Sequence, residues 1–95
     1  MVTVGMNYAV IPGKEAVFEA AFARVLDALG KAEGHVESHL YRRVGEAPEY
    51  LIVSRWDDEG AFERFIASEA FRKVASWGRE HILSRRPTHT TWREA

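Results

Sequence analysis

The pattern of hydrophobic and polar residues predicts four strands and two helical regions. Side-chain character alternates over Val2 to Ile11, His35 to Val44 and Thr88 to Arg93, which predicts three strands. The run from Tyr50 to Trp56 predicts another strand, which is apolar on both faces. From Lys14 to Lys31 the apolar residues recur every three or four positions instead, which predicts an amphipathic helix. The first half of the chain is therefore predicted to form a strand, a helix and a strand pair.

The second helical region is predicted between Trp56 and Pro87 and contains two capping residues. Asp57 or Asp58 can cap its first helix, and Ser68 can cap a second helical piece. The apolar residues that follow these caps recur at helical spacing and share one face: Phe62, Phe65, Ile66, Phe71, Val74 and Trp77.

The order strand, helix, strand, strand, helix, strand predicts a ferredoxin-like α+β domain over residues 1–95. In this arrangement a four-stranded antiparallel sheet carries two helices on one face. The first and third strands are apolar on both faces, so the uncovered face would expose a large apolar patch. Two copies that stack sheet on sheet would cover it, and two-fold symmetry is the commonest in oligomers. We therefore expect a homodimer through the sheet faces.

Composition narrows the class of protein. The 95 residues are 46% hydrophobic and 28% charged with a net charge of −1, which is ordinary for a soluble globular domain and lacks the basic surplus of nucleic-acid-binding proteins. The absence of cysteine excludes disulfides, thiolate metal ligands and cysteine nucleophiles. No apolar run approaches the ~18 residues of a membrane span, and no signal-peptide pattern precedes the first strand. We expect a cytoplasmic protein with neither a nucleic-acid nor a membrane partner.

The histidines and arginines offer little specific chemistry. His35 and His39 would lie roughly 13 Å apart on a strand, too far to share a metal ion. His81 and His89 have no carboxylate at a recognisable ligand spacing, so we predict no metal site. One group of arginines forms either an anion-binding rim or solvated faces: Arg42, Arg43, Arg55, Arg85 and Arg86.

Asn7 is the polar residue with the strongest functional signal. An amide in the middle of a good strand lowers β-propensity. If the small residues Gly5 and Ala9 face the helices together with Asn7, they leave room for an apolar cavity with one convergent polar group. Alternatively, the small residues only let a helix pack closely. The predicted cavity wall is aromatic and consists of Phe22, Trp56, Phe62, Phe65 and Phe71.

Several segments resemble one family over nearly the whole chain. They are the strand that carries Asn7, Glu33-Gly34, Val53 to Glu59, Ala61 to Phe65, and Ser68 to Phe71. With these segments the chain resembles the antibiotic biosynthesis monooxygenase superfamily of dimeric α/β-barrels, which also contains haem-degrading monooxygenases.

The resemblance implies a dimer with one pocket per subunit, between the sheet and the helices. Members of the family oxidise polycyclic phenols with dioxygen and neither metal nor flavin, or they bind and cleave haem. In the haem-degrading group an Asn, a Trp and a His form the site. Here Asn7 matches the first, but Phe65 and Ala75 stand at the other two positions. These departures speak against haem degradation.

The leading hypothesis is a small cofactor-independent monooxygenase that acts on an aromatic, phenol-type substrate. Asn7 would donate a hydrogen bond to the developing oxyanion. Tyr8, His39 or His81 would assist proton transfer, and the sequence does not distinguish among these three candidates. The alternative is a non-catalytic dimer of the same fold that binds a small molecule or haem, because a fold does not by itself fix a function.

Overall fold

The computed structural model describes residues 1–94, which form four strands and three helices. In chain order the elements are β1 (Val2–Ala9), α1 (Glu15–Gly30), β2 (His35–Arg42), β3 (Glu49–Trp56), α2 (Glu59–Ile66), α3 (Glu69–His81) and β4 (Thr88–Arg93). None of these helices is long and apolar enough to cross a membrane. The predicted succession of strands and helices is confirmed.

The four strands form one antiparallel sheet in the order β2-β3-β1-β4. The central strands β1 and β3 pair along their whole length, from Val2 opposite Trp56 to Ala9 opposite Glu49. The helices that join these strands cover one face of the sheet. The ferredoxin-like fold class is therefore confirmed.

The second helical region is two helices rather than one, because Ser68 ends α2 and begins α3. Its Oγ donates to the carbonyl oxygen of Phe65 at 2.6 Å and accepts from the Phe71 N–H at 3.3 Å. At the start of α2, the Asp58 carboxylate accepts from the Ala61 N–H at 2.8 Å. Both predicted caps are confirmed, and together they satisfy helix N–H groups that would otherwise lack partners.

Even-numbered residues of β1 face the helices. Val2 and Val4 are buried in one cluster with Trp56 of β3 and with Leu29, Phe62 and Phe65 of the helices. Odd-numbered residues point to the opposite, open face, where a Cβ on Gly5 would lie 3.0 Å from the Trp92 ring. The two clusters of buried apolar residues thus lie between the sheet and the helix layer.

Two strands end earlier than predicted. Beyond Ala9 the chain leaves the sheet because it pairs with the segment after α3: Val10 bridges Leu83, and the Ile11 N–H donates to the Ile82 carbonyl at 2.8 Å. β2 ends at Arg42 instead of Val44, whose side chain is 98% exposed and so gains nothing from the sheet.

β2 contains a β-bulge that changes which face its residues occupy. His35 pairs with Trp56 and Glu37 with Arg55, so Val36 is an extra residue without a partner. In a regular strand, His35 and His39 would lie on the same face, and the bulge places them on opposite faces. His35 packs against Trp56 on the helix side, whereas His39 lies opposite Val53 on the open face.

Candidate functional site

A cavity of about 890 Å³ lies between the sheet and the helix layer. Its floor comes from β1 and β3, and its walls come from the three helices and the segment after α3. All five aromatic residues predicted to form a wall line it: Phe22, Trp56, Phe62, Phe65 and Phe71. The size and aromatic character of this cavity suit a flat organic ligand.

The aromatic side of the cavity is a connected set of rings centred on Trp56. The Trp56 ring lies 5.8 Å from Phe62 and 5.5 Å from Phe65, and Phe65 lies 5.2 Å from Phe71. These are distances at which tilted and edge-on aromatic pairs stabilise one another. Within residues 1–94 the buried Nε1–H of Trp56 has no acceptor, so this ring is held by packing alone.

Asn7 does not line the cavity. Its neighbours in sequence, Met6 and Tyr8, do line it, and since successive strand residues point to opposite faces, Asn7 is exposed on the open face. The predicted placement of Asn7 beside the helices is wrong because the large residues of β1, not the small ones, face the helices. Asn7 has no contact with this cavity, and its catalytic role stays a prediction.

His39 and His81 also lie outside the cavity. His39 is exposed on the open face, with Nε2 3.9 Å from a carboxylate oxygen of Glu37. His81 is exposed at the end of α3, 3.8 Å from Glu80, and its ring lies 6.2 Å from that of Trp77. Of the candidates for proton transfer, only Tyr8 is a cavity residue.

Tyr8 brings a hydroxyl into the aromatic cavity. In the described residues its one hydrogen-bond partner is the thioether of Met6 at 3.8 Å, a weak acceptor. Its ring packs on Phe18 at 5.3 Å. Burial raises the pKa of Tyr8 to about 12, so the phenol stays protonated and able to donate at neutral pH. In the sequence of β1 large side chains alternate with small ones, and Tyr8 belongs to the large set.

A second polar feature, which the sequence did not predict, joins β2 to the cavity floor. Nε2 of His35 lies 2.8 Å from Oγ of Ser38, which lies 2.9 Å from Oγ of Ser54. Ser54 is 3% exposed and lines the cavity. The bulge at Val36 creates this chain, and the alternation pattern of β2 gives no sign of it.

Most of the arginines considered for an anion-binding rim are paired with carboxylates. Arg43 and Arg85 both contact the Glu49 carboxylate, which lowers the pKa of Glu49. Arg42 lies 3.7 Å from Glu15 and Arg55 lies 3.5 Å from Glu37. The arginines that line the cavity are Arg72, Arg79 and Arg86, all of them exposed.

The cavity does not fit haem held by a histidine. Among residues 1–94 its lining contains no histidine, and Ala75 contributes a methyl group at the position where the resemblance implies that ligand. The Tyr8 phenol is a poor iron ligand because its raised pKa disfavours the phenolate. In the same described part of the chain, no three His, Cys, Asp or Glu side chains are grouped as metal ligands.

The fold and the cavity define a small α+β domain with a site for an organic ligand. Residues 1–77 match the family model described as antibiotic biosynthesis monooxygenase. The chain therefore belongs to the antibiotic biosynthesis monooxygenase family.

Solved structures with the same fold include an oxygenase. SnoaB from Streptomyces nogalater, a cofactor-independent oxygenase, is 26% identical with a TM-score of 0.85, over 99% of this chain and 92% of that one. A conserved protein from Methanosarcina mazei is 20% identical with a TM-score of 0.89, again over 99% and 92%. The second likeness shows the fold alone.

One sequence relative is named for a different property. A Natronomonas pharaonis protein is 36% identical over 87 residues, and its name gives heme binding as a provisional assignment. The match covers 92% of this chain but only 14% of that protein. The chain thus corresponds to about one-seventh of this relative.

Proposed function

We propose that this protein is a cofactor-independent monooxygenase that oxidises an aromatic, phenol-type substrate with dioxygen. The observation that carries the proposal is the aromatic cavity lined by Tyr8, whose hydroxyl has, within residues 1–94, only a thioether as partner. The similarity to SnoaB, a cofactor-independent oxygenase, supports the same activity. A cytoplasmic location remains a prediction.

The proposed reaction needs no external reductant. Loss of a proton converts the phenol, or the enol form of an anthrone, into an electron-rich anion. This anion reduces dioxygen. For an anthrone, the ring CH₂ becomes C=O: one oxygen atom enters the product, and the other leaves as water with the two hydrogens of the CH₂ group. The substrate loses four electrons and dioxygen gains four.

The protein contributes shape, dryness and one hydrogen bond. Phe22 and Phe71 are the partly exposed rings of the cavity wall, and their contacts with a flat substrate would lower the entropic cost of reaction. Trp56 is fully buried and supports Phe62 and Phe65 from behind. Tyr8 donates to the oxyanion that develops as the substrate is deprotonated, in an apolar cavity where such a bond is strong. We therefore propose that Tyr8, Phe22 and Phe71 contact the substrate. The buried rings of Trp56, Phe62 and Phe65 complete the substrate-binding wall behind them.

Oxygen consumption tests this proposal. Purified protein is mixed with a panel of anthrones and hydroquinones in a sealed oxygen-electrode chamber, in the presence of a metal chelator. We expect uptake of one dioxygen per anthrone oxidised, with the quinone as product. A panel that gives no uptake above the rate without protein would contradict the proposal.

The alternative function is a non-catalytic dimer that binds a small molecule or haem, and the heme-related name of the Natronomonas protein favours it. The missing histidine at Ala75 argues against haem as its ligand. Titration with haemin tests whether haem is the ligand of this alternative function. A saturable shift of the Soret band at micromolar protein would support the alternative, whereas the cavity lining leads us to expect none.

We also propose that two copies associate through the open face of the sheet. This face carries Leu51 and Val53 of β3, and at its edges Tyr41 is 54% and Trp92 57% exposed. Aromatic residues with this exposure are typical of interfaces. Sedimentation should therefore give about twice the monomer mass, whereas Val53→Asp, which places a charge at the centre, should give a monomer.

A further inference from the structure

A chain of three side chains connects the edge of the sheet to the cavity. It begins at His35, which is half-buried, passes through Ser38, and ends at Ser54, which is buried in the cavity floor. The two links measure 2.8 Å and 2.9 Å, both ordinary hydrogen-bond lengths. Because each serine hydroxyl can donate and accept, the hydrogen bonds of this chain can run in either direction.

The bulge in β2 is what makes this chain possible. In a regular strand, residues three apart point to opposite faces, so His35 and Ser38 would not meet. The extra residue Val36 turns His35 to the helix side, where its ring contacts Trp56 edge-on at a centroid distance of 5.1 Å. β-Bulges often re-aim a side chain next to an active site.

We propose that His35, acting through Ser38 and Ser54, takes the proton of a phenolic ligand bound in the cavity. This inference rests on the proposed function, which requires a substrate anion. In one concerted shift the ligand O–H proton moves to Ser54 Oγ. The Ser54 proton moves to Ser38, and the Ser38 proton moves to Nε2 of His35. The products are a phenolate and an imidazolium. Ser54 is the residue that touches the ligand, and His35 acts through it.

The surroundings of His35 suit a proton acceptor. Burial lowers the pKa of His35 below its ordinary value, while Glu37 on the same strand raises it through a backbone hydrogen bond and its negative charge. The imidazole is therefore neutral at pH 7 and ready to accept a proton. Glu37 itself lies near Arg55 of β3 and His39, which spread its charge. Half-burial lets the imidazolium release the proton to water.

Nitrogen-15 NMR of the histidine side chains tests the path without any turnover. The probe is 2-hydroxyanthraquinone, a phenol that does not react with oxygen, and anthraquinone is the matched ligand without the hydroxyl. We expect the hydroxylated ligand to raise the titration midpoint of His35 by about one pH unit, as a nearby phenolate would. Anthraquinone should leave His35 unchanged, and His39 serves as the internal control in the same spectrum.

Two variants complete the test. Ser54→Ala should still bind the probe within about twofold, but it removes the hydroxyl that relays the proton, so kcat/KM in oxygen uptake should fall as far as in His35→Gln. In oxygen uptake, His35→Gln keeps a hydrogen bond to Ser38 but cannot be protonated, so kcat/KM should fall by about 10²-fold. His39→Gln should leave it unchanged.

The outcomes separate the two proposals. If the probe binds but His35 does not shift, or if Ser54→Ala keeps the kcat/KM of the parent, the proton path is wrong and the cavity remains a ligand site. If neither anthraquinone nor its hydroxylated form binds, the proposed function itself fails.

Discussion

Tyr8→Phe should lower kcat/KM for an anthrone by about 10²-fold, because it removes the hydrogen-bond donor that we assign to the developing oxyanion. The phenol stays protonated well above neutral pH, since burial raises its pKa to about 12. The loss should therefore have the same size between pH 7 and pH 9. Oxygen uptake over this pH range measures it.

Tyr41→Phe is the matched control for this variant. Tyr41 lies on the open face, on the opposite side of the sheet from the cavity, so the same chemical change there should leave kcat/KM unchanged. Tyr8→Phe should also keep its free energy of unfolding within about 1 kcal/mol of the parent, because in the described part of the chain the lost hydroxyl has only a thioether partner. Equal activity of Tyr8→Phe and the parent would refute the assignment.

The fold was predictable because each signal in the sequence is local and agrees with the others. Alternation marked the strands, three-to-four spacing marked α1, and the caps at Asp58 and Ser68 marked where helices begin. Each of these depends on neighbours within one turn of helix or one pair of strands. Strand ends were predicted less well, since the end of β1 depends on Leu83, some seventy residues away.

The cavity wall was predictable for the same reason, but its polar groups were not. The aromatic residues sit on helix faces that the spacing defines, so their convergence follows from the fold. Which face of β1 meets the helices depends on the residues of both faces of the whole sheet and not on β1 alone. For this reason Asn7 was predicted beside the helices, whereas in the structure Tyr8 lies there. The path from His35 to Ser54 depends on a single extra residue in β2, which leaves no periodic trace in the sequence.

Gly34 joins α1 to β2 at a point where both the backbone conformation and the neighbouring atoms disfavour a side chain. Its φ is +85°, a value that favours glycine, and a Cβ there would lie 2.5 Å from the Cβ of Ala61 in α2. Its carbonyl accepts from the Asp57 N–H at 2.8 Å. This close approach lets α2 pack down on the sheet, and so it positions Phe62 in the cavity wall.

Gly34→Ala should therefore destabilise the protein by about 2–5 kcal/mol, from about 1–2 of backbone strain and about 1–3 of steric overlap. Denaturant unfolding measures this loss. Gly13→Ala is the matched control, since its φ is +94° with no atom within 4 Å, so it should show the strain alone. Ala61→Gly removes the clashing methyl group at a helix cost of its own of about 1 kcal/mol. Measured against Ala61→Gly alone, Gly34→Ala should therefore show only the strain part. If Gly34→Ala costs no more than Gly13→Ala, the packing of α2 against Gly34 does not position the cavity wall.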